Sequence, residues 1–289
     1  MPFHKGEDSV ILELPSGARA EILYYGATVI SWKSPSLSGL GDDVEERLFV
    51  SKKSPLDGSK PVRGGIPVVF PIFGPPAKPE HSKLAQHGFA RSSVWHWDDI
   101  VMDTDTGVSV RFRLDPTPDI EAAFPYPFKL AYVVTLASHQ LSTDLHVENT
   151  SSDHPLSFQA LLHTYYATNA SHVKISPLTN LTYINKVKGG VEEVETRDGV
   201  DVLQFTDFVY KDAPKEYLIS SEGKTLKLKA RELNDVVVWN PGAEAGAKIG
   251  DMEDRGWERY VCVEPGSASY FINVAPGKHW VGGQTITVM

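Results

Sequence analysis

Residues 108–114 put Val108, Val110, Phe112 and Leu114 on one side and Ser109, Arg111 and Arg113 on the other. This two-residue period belongs to a half-buried strand and is incompatible with a helix, whose apolar face returns every three to four residues. The alternation recurs in Leu130, Tyr132, Val134 and Leu136, in Leu141, Thr143, Leu145 and Val147, and where Leu226 and Leu228 alternate with Lys227 and Lys229. Clusters of Gly, Pro, Asn, Asp and Ser between these runs supply turns. Ile22 to Trp32 and Val236 to Trp239 are more continuously apolar, which predicts central strands covered on both faces. Helical candidates are short, one at Lys52 to Asp57 and one at Ile120 to Phe124, each hemmed in by proline. The class is all-β.

A chain of 289 residues can bury a large core. It shows no repeat of propeller or solenoid period and no linker rich enough in Pro, Gly or Ser to divide it, so one large sandwich over residues 1–289 is expected. Ser34 to Glu46, with its Asp-Asp-Val-Glu-Glu run, and Pro75 to Leu84 read as surface loops. Acids outnumber bases 37 to 28, and the net charge of -9 argues against a nucleic-acid or anionic-membrane partner. An anionic ligand would need a local basic cluster. Cys262 is the one cysteine, which excludes an intramolecular disulfide, and no signal peptide, transit pattern or membrane-length apolar run is present. The expectation is a cytoplasmic protein whose sequons at Asn149, Asn169 and Asn180 stay unmodified.

Five segments carry possible chemistry. Lys60-Pro-Val-Arg63-Gly-Gly sets cations beside glycines that would let backbone approach a ligand; alternatively Gly64-Gly65 is a tight bend and Arg63 a surface ion pair. Gln86-His87-Gly88-Phe89-Ala90-Arg91 repeats the theme, and two arginines from separate loops would suit a phosphate. His163 lies in an apolar-aromatic strand, either as a hydrogen-bonded core residue or as a proton-transfer group. Glu264 ends the apolar run Tyr260-Val-Cys-Val just before Pro265-Gly266, where an unpaired buried carboxylate would be costly. It is either solvated at the strand end or functional. Asp207 is a turn acid or a ligand-binding one. There is no zinc-ligand spacing, phosphate loop, dinucleotide fingerprint or nucleophile elbow, so neither metal nor cofactor is expected.

In this order, Lys60-Pro-Val-Arg63-Gly-Gly-Ile-Pro, Gln86-His87-Gly88-Phe89-Ala90-Arg91, His163-Thr164-Tyr165, Thr206-Asp207 and Glu264-Pro265-Gly266 resemble the hexose-6-phosphate mutarotases, or glucose-6-phosphate 1-epimerases. These belong to the galactose mutarotase-like superfamily, and the composite looks closest to fungal members. The likeness runs from about Tyr24 to about Trp280. It implies a large two-layer antiparallel β-sandwich with the sugar in a cleft, and the anomers of a hexose 6-phosphate as substrate for a monomer without a cofactor. It further implies that Arg63 and Arg91 grip the phosphate, Gln86 and Asp207 contact the sugar, and His163 and Glu264 form the acid-base pair. The loop Ser34 to Glu46 looks longer than the family leads one to expect.

With reference pKa values of about 4.3 for Glu and 6.5 for His, a Glu264 carboxylate base and a His163 imidazolium acid are expected near neutral pH. A mutarotase of free aldoses would share His163, Asp207 and Glu264 but need no pair of arginines. A carbohydrate-binding sandwich without turnover would need no acid-base pair.

Overall fold

The computed structural model describes residues 3–37 and 44–289. Two eight-stranded sheets dominate it. The first runs in the order Lys174–Ser176, Glu216–Ser221, Lys224–Arg231, His279–Val288, Gln140–Asn149, Phe128–Ala137, Gly107–Leu114, His96–Thr104. The second runs Val191–Val194, Thr182–Asn185, Thr206–Tyr210, Asp235–Asn240, Tyr260–Gly266, Leu161–Leu162, Val68–Val69, with Tyr165–Ala167 also paired to Tyr260–Gly266. Within these two sheets every strand pairing among the described residues is antiparallel. The expected alternation holds: Val108, Val110, Phe112 and Leu114 are buried, while Arg113 is exposed. They share one apolar core with Leu130, Val134, Leu141, Leu145, Val236, Val238, Val261 and Val263, which joins the two sheets face to face.

The opposite face of the second sheet is where the site is built. Because side chains alternate, Val261 and Val263 enter the shared core, while Tyr260, Cys262 and Glu264 point to the other side. Val237 and Trp239 do the same on the neighbouring strand, which also bears out Val236 to Trp239 as a central, doubly covered strand.

Among the local expectations, some are corrected and one helix is borne out. The stretch Ile22 to Trp32 is two antiparallel strands, Arg19–Leu23 and Val29–Pro35, within a five-stranded sheet. Gly26 and Ala27 take positive φ between them and reverse the chain. No helix forms at Lys52 to Asp57: Ser51 Oγ accepts from the backbone of Lys53 and of Glu253, and Lys52 N–H donates to the Glu253 carboxylate, so the segment is tied to a distant loop. The helix near Ile120 exists as Pro118–Ala123, with Thr117 as its N-cap and Pro118 at its start. The ends of the expected loop Ser34 to Glu46 pair as strands, Ser34 opposite Glu45 and Pro35 opposite Val44; its centre, 38–43, lies outside the described residues. Pro75 to Leu84 is largely exposed but buries His81, which stacks on Phe271. Among the described residues no helix is long and apolar enough to cross a membrane.

Candidate active site

Strand register brings the first pair together. Leu161 lies opposite Gly266 and Tyr165 opposite Cys262, so His163 falls level with Glu264. The ladder is interrupted at His163, whose backbone N–H donates to Pro67 O instead. His163 Nδ1 lies 3.3 Å from Glu264 Oε1, and both residues are buried, at 8% and 1% exposure. The contact lacks hydrogen-bond alignment: Nδ1 and Glu264 Oε2 are buried without a partner. His163 stacks nearly parallel on Tyr165, with ring centroids 4.8 Å apart, and meets the edges of Trp239 and His87. Its ring is therefore packed from several sides.

The arginines arrive from two loops. Gly64 and Gly65 have positive φ, and a Cβ on either would overlap the backbone at Phe49–Val50 or at Val29. Their close approach is to neighbouring chain, which favours the tight-bend alternative over approach to a ligand. It places Arg63 at the cavity and leaves Lys60 exposed. Arg63 Nε donates to Asp251 Oδ1 at 3.0 Å. Burial works against its charge, but Tyr165 and Asp251 outweigh burial and hold its pKa above the usual value. Gly88, also at positive φ, lies against the Phe70 carbonyl and lets the Gln86–Arg91 loop approach the sheet. Arg91 Nη2 donates to the Gln86 carbonyl at 2.9 Å, while Nε is buried without a partner. Among the described residues no carboxylate is ion-paired with Arg91.

All six expected residues, Arg63, Gln86, Arg91, His163, Asp207 and Glu264, line one cavity of about 160 Å³. Phe73, His87, Lys186, Val237 and Trp239 complete its wall. Lys186, which the sequence reading missed, begins a short 3-10 turn capped by the Asn185 side chain. Its Nζ lies 3.6 Å from Asp207 Oδ2. In the sequence it opens Lys186-Val-Lys188-Gly-Gly, indistinguishable from a solvated turn. His87 was within a recognised motif but had no role; its Nδ1 accepts the Gly74 N–H at 3.2 Å, and burial followed by Arg91, Lys186 and Arg63 lowers its pKa to about 3. It is a neutral wall of the site.

The electrostatics of the pair run against the sequence expectation. Burial, then His87, Arg91 and Arg63, hold His163 well below the usual histidine range. Burial, then Asp207, push Glu264 well above the carboxylate range, with Lys186 and Arg91 opposing. Both effects favour the uncharged members of the pair. A neutral His163 beside a protonated Glu264 is the form these shifts favour, the reverse of the expected carboxylate and imidazolium. Burial also raises Asp207, against Lys186. The arrangement offers two adjoining proton-transfer groups at the floor of a polar cavity with three cations on its wall.

Residues 8–287 match the profile of the aldose 1-epimerase family. The chain is 31% identical over 286 residues to a Cenchrus ciliaris protein, covering 96% of this chain and 83% of that one. It is 30% identical over 267 residues to an Escherichia coli protein, covering 91% and 84%. Both relatives are provisionally named glucose-6-phosphate 1-epimerase. A Salmonella typhimurium structure described provisionally as a mutarotase superposes with a TM-score of 0.85 at 27% identity, covering 99% of this chain and 92% of that one.

Proposed function

Because the chain belongs to the aldose 1-epimerase family, we propose that it interconverts the α and β anomers of a hexose 6-phosphate, with His163 and Glu264 as the proton-transfer pair. The observation that carries the phosphate is Arg91, a half-buried guanidinium whose Nε is buried without a partner, facing the same cavity as Arg63 and Lys186. A partly buried cation with a donor that lacks a partner is costly, and a dianionic ligand bound by its rigid fork would relieve that cost. Gln86 and Asp207 line the same cavity and would hold ring hydroxyls. Glucose 6-phosphate is the substrate that fits both this wall and the names of the relatives.

Anomerisation requires only proton transfers. A base takes the proton of the anomeric hydroxyl while an acid delivers one to the ring oxygen; the C1–O5 bond breaks and the open aldehyde rotates. Reclosure on its other face returns both protons. The pair must hold one proton in total, and the directions of the two shifts favour holding it as neutral His163 with protonated Glu264. A phosphate dianion on Arg63 and Arg91 would offset two of the groups that oppose the imidazolium. Substrate binding thus shifts the proton towards His163 and readies Glu264 as the base. Each positioned group contributes about 10²- to 10⁴-fold.

NMR exchange spectroscopy on glucose 6-phosphate, with free glucose as comparison, tests the reading in excess chelator. Faster exchange of the phosphorylated sugar supports it. Equal acceleration of both sugars would favour a free-aldose mutarotase, the reading to which Asp251 lends some weight by already occupying Arg63.

A further inference from the structure

We infer that the cavity-lining His163 and Glu264, together with the buried Cys262, also form a binding site for a thiophilic divalent cation of the zinc type, and that occupancy silences the proton-transfer pair. One donor atom from each residue lies within 4.8 Å of the other two, and all three residues are buried. Strand geometry produces the cluster. Cys262 and Glu264 are two residues apart on one face of a strand, and His163 is level with Glu264 on the adjoining chain. Motif spacing along the sequence cannot reveal such a set, since its ligands meet across a ladder.

Two of the donors lack partners. His163 Nδ1 and Glu264 Oε2 are buried with no hydrogen bond, and the packing of Tyr165, Trp239 and His87 around the imidazole limits its freedom to seek one. The separation of Nδ1 from the other carboxylate oxygen, Oε1, is also apt. With zinc–nitrogen and zinc–oxygen distances of about 2.05 Å, an ion bound to both atoms of the 3.3 Å pair subtends roughly 107°, close to tetrahedral. Cys262 adds a sulfur, which selects zinc or cobalt over magnesium or calcium. The fourth position would face the cavity and take water. Binding exchanges the thiol proton for the metal: the proton leaves to solvent as the sulfur–metal bond forms. Burial holds that thiol protonated, so affinity should rise with pH.

An ion there takes Nδ1 of His163 and an oxygen of Glu264 out of proton transfer, so the site inhibits. Zinc should therefore abolish anomer exchange, magnesium should not, and chelator should restore the rate. Cys262→Ala should keep the wild-type rate without metal. Losing an outer partner of a metal ligand costs about 10- to 100-fold in affinity, so removing a direct ligand should raise the half-inhibiting zinc concentration by ~100-fold or more. Cobalt(II) added to the wild-type protein should give a thiolate-to-cobalt charge-transfer band and the intense visible bands of a tetrahedral ion, both lost in Cys262→Ala. This spectrum needs no turnover, so it separates failure of the metal site from failure of the proposed activity. Absence of the thiolate band in the wild type, or unchanged zinc sensitivity in Cys262→Ala, would overturn the inference. Should the alanine variant not fold, the wild-type cobalt spectrum decides alone.

Discussion

Lys186 Nζ stands 3.6 Å from Asp207 Oδ2, which makes a lysine from a surface-like turn the counter-ion of a carboxylate inside the cavity. Glu264 faces His163, Asp207, Lys186 and Arg91. Two of these are anionic or neutral and two are cationic, so the lysine is half of what favours a Glu264 carboxylate.

Replacing it removes that half. Lys186→Met should leave Asp207 and Glu264 holding their protons to higher pH and move the alkaline limb of the rate profile upward, while Lys186→Arg leaves the limb in place. A lost charge-assisted contact of about 1.5 to 3 kcal/mol should lower kcat/KM for glucose 6-phosphate by roughly 10- to 150-fold. An unmoved limb in Lys186→Met would show that the lysine serves only the turn.

The His163–Glu264 contact makes the two residues one unit. His163→Ala and Glu264→Gln should each lower kcat by about 10²- to 10⁴-fold while substrate still binds. Their double mutant should be little slower than either single, because each change already disables the pair. Rate losses that multiply would mean that the residues act independently.

Protonation offers a direct check. The pair is active with one proton, and the rate should fall when it holds two or none, giving a bell-shaped profile. The acid limb should lie below the ordinary histidine pKa, because burial and the nearby cations lower His163. The alkaline limb should lie above the ordinary carboxylate value, because burial and Asp207 raise Glu264. Both one-proton forms give the same profile, so the profile cannot locate the proton. Nitrogen-15 spectra of the histidines can: His163 should be neutral in the free protein at pH 7 and shift towards imidazolium when glucose 6-phosphate binds. A charged His163 in the free protein would contradict the burial argument.

How much of this was legible without coordinates depended on whether the signal was local. The strand at Val108 to Leu114 writes its buried face into a period of two. Glu264 was legible because a carboxylate closing an apolar run is costly unless used. By contrast, Ile22 to Trp32 conceals a chain reversal at Gly26-Ala27, and Lys52 to Asp57 is held open by Glu253 from far along the chain. Lys186 looked like any solvated lysine, and Cys262 spoke only against an intramolecular disulfide. Each acquires its meaning only when strand pairing decides its neighbours. The charge states were invisible for the same reason: reference pKa values assume solvent, and both members of the pair are buried.

Phosphate recognition is the decisive matter for substrate. With a net charge of -9 the protein as a whole repels a dianion, yet the Debye length is about 8 Å at physiological ionic strength, so distant acids are screened while contacts in the cavity keep their strength. Arg63 shares its guanidinium with Asp251 and Arg91 shares its own with no carboxylate among the described residues. Arg91 should therefore be the stronger phosphate ligand. Charge-assisted hydrogen bonds are worth about 1.5 to 3 kcal/mol, so Arg91→Ala should lower kcat/KM for glucose 6-phosphate by roughly 10- to 150-fold, with Arg63→Ala nearer the lower end. Free glucose, which has nothing to offer a guanidinium fork at that position, should be turned over at nearly the wild-type rate. The measurement is kcat/KM for both sugars in the three proteins. Equal losses for the phosphorylated and the free sugar would assign the arginines to the ring or the fold, and the free aldose would then be the better substrate.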